Sequence, residues 1–140
     1  MKIETECFCI TARGLANRLT QLYDQRLETC GLKVTQYSVI KKIVKQPEIT
    51  VSELATQCQL DRTTLTRNLY VLEKNGWIEF TEGSDRRQKR VRLRSEKANA
   101  FQAACATWAQ LQNELNALVD LDSIRISEQQ ITEKLRGQTK

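Results

Sequence analysis

The sequence predicts a mainly α-helical fold carrying one small β-hairpin, and three observations predict it. Breakers are scarce, with five glycines and a single proline in 140 residues, and the long stretches between them place apolar residues at helical spacing. One stretch departs from that rhythm. In Arg86-Arg87-Gln88-Lys89-Arg90-Val91-Arg92-Leu93-Arg94, Val91 and Leu93 alternate with Arg90, Arg92 and Arg94, the period-two pattern of a strand with one apolar and one wet face. Just upstream, residues 50–76 read as two short helices separated by a tight turn.

The elements follow in order. A first helix is expected over about residues 10–30, where Ala12, Leu15, Leu19, Leu22, Tyr23 and Leu27 recur at helical spacing and Gly31 supplies a stop. Thr35 is the expected cap of the next helix, which carries Tyr37, Val39, Ile40, Ile43 and Val44 and ends before Pro47. Residues 48–50 suit a short strand. Thr50-Val51-Ser52-Glu53 matches a capping box, opening a helix to about Cys58 that buries Leu54 and Ala55, with Leu60 packed in the turn. Asp61 caps a helix over residues 62–75 with the apolar stripe Leu65, Leu69 and Leu72, and Gly76 closes it.

Residues 77–82 have strand character, residues 82–85 read as a turn, and the basic strand follows. From about Ser95, the expected cap, a long helix carries Phe101, Ala104, Cys105, Trp108, Leu111, Leu115 and Leu118 to about Asp120, and a last short helix starts near Ser127 with Ile131 and Leu135 on one face. The long terminal helices hold more apolar surface than a small core uses. That surplus either completes a monomeric core or meets a second copy.

Composition narrows the class. A chain of 140 residues with 40% hydrophobic and 28% charged content suits one ordinary soluble domain. The net charge of +5 is modest, but between Glu82 and Lys97 seven Lys or Arg face three acids, which suggests a polyanionic partner. No apolar run approaches the ~20 residues that cross a bilayer, and the N-terminal residues lack the apolar core of a secretory signal, so no membrane partner and a cytoplasmic location are expected. Five irregularly spaced cysteines argue against a secreted disulfide framework. The absence of histidine excludes Cys/His zinc fingers, histidine-ligated haem and any nucleophile relying on a histidine base, and no cofactor is expected.

A helix pair followed by a basic hairpin is the layout of a winged helix-turn-helix, whose natural anion is double-stranded DNA. On the second helix Arg62, Thr63, Thr64, Thr66, Arg67 and Asn68 lie off the leucine stripe. Hydroxyls, an amide and guanidinium groups there suit an N-terminus approaching phosphate, with Arg and Asn able to read base edges in a major groove. A merely solvated polar face is the bland reading of that helix alone. In the hairpin, Arg86, Arg87, Lys89 and Arg90 are candidates for DNA contact, because a long Arg suits a narrow, electronegative minor groove. Asp85 sits placed to orient one of them. A solvated charge run that happens to be basic is the bland reading there, and the apolar alternation, which requires a formed strand rather than a tail, argues against it.

These residues resemble the MarR (multiple antibiotic resistance regulator) family of winged-helix transcription factors over most of the chain, from roughly Ile10 to Leu118. The specific parts are Leu32-Lys33-Val34-Thr35-Gln36-Tyr37, Ser52-Glu53-Leu54-Ala55, Asp61-Arg62-Thr63-Thr64-Leu65-Thr66-Arg67, Leu72-Glu73-Lys74-Asn75-Gly76-Trp77-Ile78, and Asp85-Arg86-Arg87 followed by Val91-Arg92-Leu93. The resemblance implies a triangular homodimer joined through the N- and C-terminal helices, each subunit placing a recognition helix in a major groove and its wing in the flanking minor groove. It makes residues 34–94 the DNA-binding region and residues 1–33 with 95–140 the dimerising one. It implies that Asp85 and Arg87 are the wing's paired acid and DNA-contacting arginine, and it matches Thr63, Thr64, Thr66 and Arg67 to recognition-helix positions. After the wing, Leu93-Arg94-Ser95-Glu96-Lys97-Ala98 stands where relatives often show Leu-Thr and a nearby glycine, a departure that touches the start of the next helix and not the fold.

The resemblance also implies release from DNA by a small-molecule effector or by cysteine modification. On an extended arm, Cys7 and Cys9 would share a soft metal ion or respond to oxidants. In a helix their side chains diverge and the pairing fails, leaving them to pack at the dimer interface. Cys30, Cys58 and Cys105 read as small hydrophobes on helix faces. The expected function is therefore a DNA-binding regulator, a repressor as most of this family are. One rival is a protein–protein module using its basic wing on an acidic partner. The other, a thiol enzyme, lacks a histidine, a Cys-x-x-Cys pair and a paired carboxylate site.

Overall fold

The computed structural model describes residues 6–82 and 88–138. Helix α1 (Phe8–Leu27) passes through a 3-10 turn at Glu28–Cys30 and stops at Gly31, whose φ of 75° is the left-handed conformation a glycine cap supplies. Helix α2 (Val34–Lys45) opens one residue before the expected cap. Thr35 lies inside the helix, and the free N–H of Val34 instead donates to Asp24 Oδ1 of α1 at 2.8 Å, while the Lys33 N–H donates to Gln36 Oε1 at 2.9 Å. The helix start is thus satisfied from a neighbouring element as well as from its own first turn.

Strand β1 (Ile49–Thr50) leads directly into α3 (Val51–Cys58). Thr50 Oγ1 accepts from the Glu53 N–H at 3.1 Å, half of the expected capping box; the Glu53 carboxylate turns away and accepts from Gln46 Nε2 at 3.0 Å. In the turn that follows, Leu60 is exposed rather than packed, because Gln59 takes the left-handed conformation (φ 55°) and the Leu60 N–H returns to the Ala55 carbonyl. Helix α4 (Arg62–Lys74) is capped by Asp61, whose carboxylate accepts from the Thr64 N–H at 2.6 Å. At its far end Gly76 (φ 83°) lets the Trp77 N–H reach the Leu72 carbonyl.

Strands β2 (Ile78–Glu82) and β3 (Lys89–Leu93) complete a three-stranded antiparallel sheet in the order β1-β3-β2, with Val91 opposite both Ile49 and Phe80. Leu65, Leu69 and Leu72 of α4 are fully buried with Ile40, Ile43, Leu54, Ile78 and Val91. Each such side chain contributes roughly 1.5–3 kcal/mol on burial, so α4 is held firmly by one face while the other stays wet.

A 3-10 turn at Ser95–Lys97 precedes α5 (Ala98–Asn116), and no side chain caps either, so Ser95 is not the cap expected of it. Tyr37 stacks on both Phe101 and Trp108, with ring centroids 5.5 and 5.8 Å apart, and ties α5 to α2. Helix α6 (Leu121–Gln138) starts nearly two turns before the expected Ser127, because Asp120 caps it, accepting from the Ser123 N–H at 3.3 Å and from Ser123 Oγ at 2.7 Å. No residue of α6 is buried. Cys30, Cys58 and Cys105 are half-buried against the core. No helix among the described residues is long and apolar enough to cross a membrane.

Candidate nucleic-acid interface

The geometry of α4 decides which polar residues point outward. Thr63, Arg67, Tyr70 and Lys74, at i, i+4, i+7 and i+11, form one exposed stripe opposite the buried leucines. Arg62 and the half-buried Thr66 flank it on one side. Thr64 and Asn68 lie on the other flank. Asn68 lines a cleft with Lys33 and Thr35 at the start of α2, and Thr64 gives both its N–H and its hydroxyl to Asp61. Those hydrogen bonds, with Arg67 nearby, hold the Asp61 carboxyl below its ordinary range. The six helix residues named from sequence therefore divide. Arg62, Thr63, Thr66 and Arg67 lie on the outward stripe or its near flank, and Thr64 and Asn68 lie on the other flank, Asn68 beside the start of α2. Tyr70 and Lys74 belong to the outward stripe and were missed, although their spacing from Thr63 and Arg67 carried the signal.

The wing base joins this stripe. Lys89 Nζ lies 3.4 Å from the Tyr70 hydroxyl and over the Tyr70 and Phe80 rings, at 5.7 and 5.5 Å from their centroids. An ammonium and a phenol are thus held side by side between α4 and β3. Asp85, Arg86 and Arg87 lie outside the described residues.

The remaining arginines of the strand are engaged within the protein. Arg90 Nη1 donates to the main-chain carbonyl of Glu48 at 2.7 Å, Arg92 Nε to Glu79 Oε1 at 2.7 Å, and Arg94 Nε to Glu96 Oε2 at 2.9 Å. The charge run that demands an anion is met in part by Glu79 of the sheet and by Glu96 just after it. These ion pairs are about half exposed, so each contributes only ~0–1 kcal/mol. Their effect lies in where the positive charge points. Arg90, expected among the DNA contacts, has part of its guanidinium bound to main chain, which leaves Lys89 as the strand's outward cation beside α4.

Glu48 is a third residue that sequence reasoning missed. It adopts a φ of 66°, a left-handed conformation that strains a non-glycine residue by about 1–3 kcal/mol. Its carboxylate accepts from Thr81 Oγ1 at 2.6 Å.

The cysteine pair sits apart from this surface. Cys7 is the extended residue just before α1 and Cys9 lies in its first turn, both exposed, so the segment is neither a free arm nor wholly helical. Among the described residues no group of three or more Cys, Asp or Glu is placed to hold a metal ion.

A helix pair whose second helix presents a polar stripe, backed by a three-stranded sheet that ends in a basic hairpin, defines a winged helix-turn-helix protein. The MarR family model matches residues 32–89. The transcriptional regulator MosR of M. tuberculosis, solved in complex with DNA, is 35% identical, with a TM-score of 0.82 over 96% of this chain and 100% of that one. The chain belongs to the MarR family. It is also 28% identical over 102 residues to the uncharacterised HTH-type transcriptional regulator YwoH of Bacillus subtilis, covering 73% of this chain and 74% of YwoH. A MepR–DNA complex from S. aureus, 18% identical with a TM-score of 0.79 over 96% of this chain and all of that one, shares the fold.

Proposed function

We propose that the protein is a cytoplasmic, sequence-specific DNA-binding transcriptional regulator, acting as a repressor. One observation carries this reading. The outward stripe of Thr63, Arg67, Tyr70 and Lys74 stands on a helix seated by three fully buried leucines, with Lys89 of the wing base against it. Hydroxyls and a guanidinium at the N-terminal half of such a helix suit base edges in a major groove, and the cations farther along suit phosphates. MosR, solved in complex with DNA, supports the reading by its similarity over nearly the whole chain.

Residues 34–94 form the DNA-binding region in this proposal. Residues 1–33 and 95–140 join two copies, and two recognition helices then read a pseudo-palindrome whose half-sites lie about one helical turn apart. The exposed Leu15, Ile124 and Ile131, lining an open apolar groove of about 580 Å³ between α1 and α6, support that division. Release comes from a small-molecule effector or from modification of Cys7 and Cys9, whose exposure suits the second route. No catalytic role is assigned. Selection of bound duplexes from a random DNA pool tests the proposal: enrichment of one inverted repeat is expected, and a pool that stays random after repeated rounds would overturn it.

A further inference from the structure

We propose that Glu48 is a positioning residue for the wing, fixing the seat of the hairpin against the helix pair so that its loss weakens operator recognition rather than folding. The proposal rests on the DNA-binding reading above. Glu48 stands in the turn between α2 and β1, after Pro47, with a φ of 66°. Glycine enters that region freely, whereas a glutamate enters it against its own Cβ. Backbone geometry alone would be better served by glycine, so the reason for a side chain here lies in what it touches.

What it touches is the wing, on both strands. One carboxylate oxygen accepts from Thr81 Oγ1 of β2 at 2.6 Å. The other lies 3.8 Å from Arg92 Nη1 of β3, and the main-chain carbonyl accepts from Arg90 Nη1 of β3 at 2.7 Å. Arg92 is half-exposed and the ion-pair distance is long, so that contact contributes little. The two short, part-buried hydrogen bonds carry the connection.

The location gives those bonds their consequence. The ladder between β1 and β3 holds only two residue pairs, Ile49 with Val91 and Thr50 with Arg90, against five between β2 and β3. Two pairs are a short ladder, so the seat of the hairpin on the helices depends on core packing at Ile78 and Val91 and on the contacts that flank the ladder. Glu48 extends the joint by one position and reaches across β3 to β2. Thr50, two residues on, caps α3, which packs against α4. The wing and the recognition helix touch directly, at Lys89 and Tyr70 and through Ile78 and Val91 in the core; the Glu48 turn adds a second connection between them, and a small misplacement of either spoils simultaneous contact with two grooves.

The test compares Glu48→Gly and Glu48→Gln with the unaltered protein, measuring affinity for the selected inverted repeat, affinity for a scrambled duplex of equal length, and thermal melting. Glu48→Gly relieves the strain and removes the carboxylate. It is expected to melt no lower than the unaltered protein, yet to bind the selected repeat about tenfold more weakly, the scale of losing one part-buried hydrogen bond, with affinity for the scrambled duplex within about twofold. Glu48→Gln keeps an amide oxygen for Thr81 and is expected to restore most of the specific affinity. Three outcomes overturn the proposal: unchanged affinity in both variants, melting and affinity falling together, or tighter binding to both duplexes with a steeper salt dependence, which would make Glu48 a mere repulsive charge. Failure of the unaltered protein to bind any duplex would instead remove the DNA-binding reading itself.

Discussion

Arg92 Nε donates to Glu79 Oε1 at 2.7 Å, directly across the antiparallel pair of β3 and β2. An arginine of the basic strand is thus partly neutralised by a glutamate of the same sheet, while Lys89 sits against Tyr70 of α4. The two cations should behave differently towards DNA. Lys89→Ala is expected to flatten the dependence of log affinity on log salt by about one unit, and Arg92→Ala by clearly less, since the slope counts counterions released from phosphates. Equal flattening by both variants, in fluorescence titrations over a range of salt, would show that the Glu79 pairing opens on DNA.

The cap of α4 sets a pH dependence. The Asp61 carboxyl is held below its ordinary range by the Thr64 hydroxyl and N–H, and also by Arg67. Its ionised form therefore binds the folded state better, so this contribution is complete above the unfolded carboxyl range near pH 4 and is lost as pH falls through the lower folded value. Asp61→Ala is expected to lower the melting temperature at pH 7, with the gap to the unaltered protein narrowing as the solution is acidified towards pH 3. A gap independent of pH in calorimetry would assign the effect to something other than the charge.

Two copies joined through α1 and α6 would cover Leu15, Ile124 and Ile131, which are exposed in the single chain. Ile124→Asp combined with Ile131→Asp is expected to shift the mass in sedimentation from twice 16.2 kDa to the single-chain value, and to weaken binding to the inverted repeat. A double variant that stays dimeric would place the interface elsewhere.

The exposed Cys7 and Cys9 are the candidates for oxidative release. Peroxide treatment is expected to weaken DNA binding by the unaltered protein and to leave a Cys7→Ser, Cys9→Ser variant unaffected, with mass spectrometry locating the modification. Loss of affinity in the double variant as well would move the switch to Cys30, Cys58 or Cys105. Of these, Cys58 has its thiol pushed up by burial, which makes it a poor nucleophile.

How much of this was legible in the sequence depends on how local each feature is. The α3–α4 pair was readable because its caps, leucine spacing and closing glycine all act within a few residues. The cap of α2 was not, since Asp24 reaches it from the preceding helix. The start of α6 was legible at Asp120 and Ser123 but was passed over for Ser127. On the wing, alternation correctly buried Val91 but left the arginines without partners, because Glu48 and Glu79 face them only once strand register is known. Nothing in a glutamate signals a positive φ, so Glu48 was invisible as a joint.

The central claim, that α4 reads bases while the wing supplies positive charge in the flanking minor groove, is tested most directly by titrating the selected inverted repeat and single-base variants of it with the unaltered protein, Arg67→Ala and Arg87→Ala. Arg67→Ala is expected to weaken binding and to relax preference at one base position, a loss of about 1–3 kcal/mol, while Arg87→Ala weakens all sequences alike with a salt slope shallower by about one. Unchanged affinity in both variants would contradict the account.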